Sequence, residues 1–255
     1  QLGQQLISSD KTTTAEIEAT ALPHGFTPGE ESMALFHAKA AQHLGQPASR
    51  FYDHAREYLS GKQGDDHWAF VGMQGLAAVG ARLNAHTLQE LLQQALPKLP
   101  LQPFGQLCRF LEQEGISPQL ANIIIKRAGN EKDADNFRDC TVAALRAIAG
   151  CNDQNLRQSF IRSVLEEEYA SDIEVLAAIS GRCWNDLKND DLCRLYLNTL
   201  AINTSGQTGF SHLLMDLLMI PGMREPIMRG MRDPERTKEL AQAMGQFFST
   251  LGAKP

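Results

Sequence analysis

The chain has 255 residues, a formal net charge of -6 and a sequence pI near 5.7, a balance that weighs against nucleic-acid binding over the whole surface. With 43% hydrophobic residues it can bury a substantial core, as one elongated helical array or as two compact domains. No apolar run reaches the roughly 18 residues of a membrane span, and no secretory signal opens the chain, so the sequence reads as cytoplasmic.

Residues 1–29 form the first unit. Gln1-Leu2-Gly3-Gln4-Gln5-Leu6-Ile7 reads as the end of an amphipathic helix, without an initiator Met, as in a fragment of something longer. Residues 8–29 are polar and rich in Thr, Pro and Gly, the composition of a linker. Within them Thr13 and Glu16 have capping-box spacing for a short helix.

Residues 30–255 form the second unit, in which breakers recur every 14 to 20 residues and apolar residues recur at three and four between them. Thr27 can cap its first helix, with Pro28 at the first helical position and Glu30 reaching back. Ser117-Pro118 and Asp233-Pro234 repeat the cap-then-proline device, and Ser171 with Glu174 has capping-box spacing. The pattern predicts helices over 30–45, 47–60, 65–83, 86–96, 101–114, 118–128, 134–149, 153–169, 172–182, 189–201, 208–219, 223–231 and 234–251. Gly72, Gly75 and Gly80 fall inside one of them, as sites of close helix approach. The only dense β-branched run, Ile123-Ile124-Ile125, sits in a segment of helical length.

The fold class is therefore all-α. Helix starts at 30, 65, 101, 134, 172 and 208 lie 33 to 38 residues apart, the period of two-helix repeats. Tetratricopeptide and ankyrin signatures are missing, which favours antiparallel helix pairs stacked as a HEAT-like α-solenoid. An irregular α-helical bundle is the alternative.

Local chemistry is sparse. Cys108, Cys140, Cys151, Cys183 and Cys193 are odd in number, widely spaced and set among apolar neighbours, as buried thiols in a reducing compartment would be. No two of the seven histidines stand four apart, so no helical metal pair is written, and neither a metal nor a cofactor is implied. Asp65-Asp66-His67-Trp68 clusters acids, a base and an aromatic at a helix start. The acids suit the helix dipole there, and Asp66, His67 and Trp68 could instead line a small polar ligand pocket.

The least ordinary segment is 215–236, with five of the eight methionines and four arginines. Met adapts to varied apolar partners and Arg favours interfaces. Met219, Met223, Arg224, Met228, Arg229, Met231, Arg232 and Arg236 are thus the candidate partner-binding surface, against the plain reading of core Met with exposed Arg.

Several elements carry a family resemblance: His43-Leu44-Gly45-Gln46-Pro47-Ala48, Phe51-Tyr52, Tyr58-Leu59-Ser60-Gly61, Trp68 with Phe70-Val71-Gly72, Gln74-Gly75 and Leu96-Pro97. On these the chain resembles a family of uncharacterised gammaproteobacterial proteins carried as a domain of unknown function. The resemblance implies a cytoplasmic protein with a further N-terminal region and no assigned activity, and it transfers no functional residues.

The functional expectation is a non-enzymatic interaction or scaffold module that takes a protein partner or a second copy of itself, with no membrane. A ligand binder or enzyme with a site assembled from distant residues is the first alternative. Nucleic-acid binding through a local basic face, with Lys126 and Arg127 joining the arginines of 224–236, is the second, and the acidity counts against it.

Overall fold

The computed structural model describes residues 28–252 apart from 63, 65, 66, 85, 132 and 133. The expected helix at Thr13–Glu16, the Thr27 cap and the linker up to residue 27 lie outside the described residues. Among the described residues there are fourteen α-helices, three short 3-10 turns and no strand beyond one isolated bridge between Ile116 and Cys151. The all-α class holds.

The helices are α1 (Glu30–His43), α2 (Tyr52–Leu59), α3 (Trp68–Val71), α4 (Met73–Ala81), α5 (His86–Ala95), α6 (Leu101–Leu111) and α7 (Pro118–Gly129). They continue as α8 (Ala134–Ile148), α9 (Gln154–Leu165), α10 (Ile173–Arg182), α11 (Asp190–Ala201), α12 (Gly206–Met219), α13 (Arg224–Arg232) and α14 (Lys238–Gly252).

Local chemistry sets most of the boundaries. Ser117 Oγ accepts from the Leu120 amide with Pro118 in the first turn, as its spacing predicts. Asp153 and Asn189 cap α9 and α11 in the same way. Elsewhere a neighbour takes the role. Asp172, not Ser171, caps α10 by accepting from the Glu174 amide at 2.8 Å. Asp233 closes a turn onto the Glu235 amide, and Thr237 caps α14, so that helix starts at Lys238 rather than at Pro234. Gly29 stands at the start of α1, which leaves Pro28 outside its first turn.

The expected helix over 65–83 is divided. Gly72 has φ +66°, a left-handed conformation that an α-helix cannot contain, and it separates α3 from α4. Gly75 and Gly80 do serve close approach. A Cβ would meet the Phe51 carbonyl oxygen at 2.7 Å on the first and Phe110 Cβ at 2.9 Å on the second.

The helices pack as two series. In the first, α1, α4, α6, α8, α10 and α12 each touch the next. In the second, α2, α5, α7, α9, α11 and α13 do likewise. α2 lies on α4, α7 on α8 and α11 on α12, tying the series together, while α14 packs on α11, α12 and α13. The apolar stripes meet in two clusters, one from α1 through α8 and one from α8 to α14, with Phe160 packed against both. α8 contributes to each, through Ala144, Ala147 and Ile148 on one side and Leu145 on the other.

Candidate functional site

The first series presents an open groove over α1, α6, α8 and α10. α6 buries Phe104, Leu107, Cys108 and Leu111, which turns Gln102, Gly105, Gln106 and Arg109 outward at three- and four-residue spacing. All four line a cavity of about 440 Å³, which adjoins a second of about 480 Å³ and shares Glu31, Arg109 and Arg146 with it. Phe36, an apolar ring left 64% exposed, stands on the α1 wall.

Charge along the groove is ordered. Arg109, Arg146 and Arg182 lie 37 and 36 residues apart, in the last turns of α6, α8 and α10, where a cation complements the helix dipole. They form a ladder across three successive helices. Arg109 pairs with Glu31 from α1. Glu112, with its side chain only 10% exposed, receives Arg146 at 3.8 Å and Arg182 at 3.0 Å. Lys39 closes the row from α1, with its Nζ 2.6 Å from Glu114 Oε1. Glu112 thus links three helices by charge-assisted contacts, and Arg109 and Arg182 remain half-exposed at the surface.

The residues singled out by sequence fare unequally. Met223 and Met231 are buried in the second core cluster and Met228 packs against it, because the apolar face of α13 is turned to α11, and Met215 packs against the same cluster from α12. The Met part of the expected surface is reduced to Met219, which is 76% exposed. Arg224, Arg232 and Arg236 are exposed, while Arg229 is held by Asp190 at 3.0 Å and Glu225 at 2.7 Å. Asp66 lies outside the described residues. His67 is exposed near the exposed Phe70 ring, whereas Trp68 packs partly into the first core cluster.

The groove was legible in one signal that helix spacing alone missed, an arginine recurring after 37 and then 36 residues. Lys126 and Arg127 do not join the arginines of 224–236. Arg127 is turned inward to Glu131, the Leu99 carbonyl and the Phe104 ring.

Burial dominates the chemistry of the thiols. All five cysteines are free and buried, and burial pushes Cys183 and Cys193 up to about 12 and Cys108 and Cys140 upward as well. These four raised thiols stay protonated and inert at neutral pH. Among the described residues no three His, Cys, Asp or Glu side chains are grouped to hold a metal, and no helix is long and apolar enough to cross a membrane.

Fold and site together describe an all-α protein of serially packed helices with a charge-laddered groove. Residues 1–248 match the family described as Protein of unknown function (DUF3549), and the chain belongs to that family. No curated protein and no solved structure matches it.

Proposed function

We propose that the protein is a non-enzymatic interaction module, a HEAT-like stack of helix pairs that holds an extended, acidic segment of a partner protein in the groove over α1, α6, α8 and α10. The ladder Arg109–Arg146–Arg182 carries this reading. Arginines set at the repeat period meet an extended chain at regular intervals, and the fork of Arg109 or Arg182 can exchange an intramolecular carboxylate for one on the partner. The series of neighbour contacts supports the stack, and no substantial contact between described residues joins α1 to α12, as closure into a ring would require. Phe36 supplies an apolar anchor beside the charges.

The groove replaces segment 215–236 as the main contact surface, because most of the methionines there are occupied in the core. Nucleic acid suits the groove less well, because a single row of arginines on a chain of net charge -6 does not make the broad basic face that a phosphate backbone needs. Five buried thiols are consistent with a cytoplasmic setting.

The test places a photo-crosslinking phenylalanine at Gln106, in the groove, or at Gln158, on α9. Gln106 is expected to capture one polypeptide through an acidic stretch, and the adduct is expected to vanish in Arg109→Glu/Arg182→Glu. Identical adducts from both positions, or none from Gln106, would sink the proposal.

A further inference from the structure

α1 is the least covered helix of the first series. Of its fourteen residues only Ala38 is buried, whereas α4, the next in that series, buries seven of nine. Yet half of α1 is apolar. Away from the groove, its Met33, Ala34, His37 and Ala41 line a furrow made of two adjoining cavities of about 500 and 350 Å³. Phe51, at the start of α2, and Met73, at the start of α4, form the opposite wall.

Elsewhere in the protein a helix of the second series covers this position. α2 lies on α4, α7 on α8 and α11 on α12, and in each case the covering helix comes before its partner in the chain. Among the described residues no helix precedes α1, so its counterpart position is open. Residues 1–27 run directly into α1 through Pro28 and Gly29, and the family match takes them in from residue 1.

We propose that residues 14–22 of this chain fill the furrow, as a short helix folded back on α1 in the place that α2 holds on α4. Thr13 and Glu16 supply the capping box at its start, and Pro23 supplies its stop. Ala15, Ala19 and Leu22 fall on one face, and the two alanines let that face come close to Ala34 and Ala41. Residues 23–29 leave a connection of seven residues, ordinary for two helices packed side by side. Nine residues are too few to hold a helix alone, so the apolar lining of the furrow is what stabilises it. None of the ladder arginines lines the furrow, so this contact is independent of the partner proposed for the groove.

A photo-crosslinking phenylalanine at His37 of the full chain reads the contact. The adduct is expected within one chain, mapping to residues 14–22, and the same group placed at Gln158 should give no such adduct. Hydrogen exchange is the second readout. Amides of residues 14–22 should exchange about tenfold or more slowly than in a free peptide of the same sequence. Ala19→Asp/Leu22→Asp should abolish the adduct and return exchange to the peptide rate, while the amides of α6 and α8 keep theirs. Those two positions belong to neither core cluster, so the body stays folded. An adduct between two copies, at twice the chain mass, would assign the furrow to self-association and overturn the proposal. No adduct from His37, exchange of residues 14–22 at the peptide rate, or a double variant that behaves as the wild type would each overturn it too.

Discussion

Removing Asp186 tests how the packed helices keep their register. The carboxylate receives Arg157 Nε and Nη2 on separate oxygens, each at 2.9 Å, and Arg157 Nη1 donates to the Cys151 carbonyl. The two side chains are 11% and 2% exposed, so solvent cannot compensate the loss of either. The pair ties α9 to the turn that precedes α11, fixing one helix pair against the next. Asp186→Ala leaves the fork buried beside a single carbonyl, at an expected cost of about 3–5 kcal/mol. For a chain of this size that lowers Tm by roughly 10 °C. Arg157→Met/Asp186→Leu fills the same volume without charge and should recover most of the loss. Urea unfolding of the wild type, Arg157→Met, Asp186→Leu and the double variant closes the cycle, with Asp186→Ala measured beside them. A cost below about 1 kcal/mol for Asp186→Ala, or a double variant no better than the single, would refute the assignment.

Gly150→Ala should destabilise by about 3 kcal/mol or more, because the added Cβ would stand 1.9 Å from the Glu114 carbonyl oxygen; chemical denaturation measures it. Gly105→Ala, with open space around it in the middle of α6, should stabilise by about 1 kcal/mol in the same assay while narrowing the groove. Arg109→Ala removes a half-exposed pair and should change stability by less than about 0.5 kcal/mol, with any loss of crosslinking at Gln106 then attributable to binding. Burial raises Cys183 and Cys193 from 9.0 to about 12, so their contribution to stability is full below pH 9 and is lost as the pH climbs toward 12. Each thiol should steepen the alkaline loss by about 1.4 kcal/mol per pH unit, and Cys183→Ala should flatten the slope seen in unfolding at pH 9 to 11.

Sequence determined the secondary structure and its class because the forces involved are local. Cap side chains, breakers and a three-four apolar rhythm act within a few residues, as Ser117 on Leu120 or Asp153 on Leu156 shows. Where two neighbours compete for one cap, as Ser171 and Asp172 do, spacing cannot choose, and the backbone path into the turn does. The split at Gly72 escaped for a related reason: a glycine inside an apolar run reads alike whether it admits a neighbouring helix or reverses the backbone sign.

The sites needed the tertiary structure. Met223 and Met231 have the composition of an interface, yet α13 turns them onto α11, because apolar surface is buried against whichever partner is nearest. Arg109, Arg146 and Arg182 are evenly spaced in the sequence, but only the packing of α6, α8 and α10 sets them side by side on one face. The furrow beside α1 is invisible in the sequence, since apolar residues such as Met33 and Ala41 do not say which neighbour covers them until the fold decides what lies within reach.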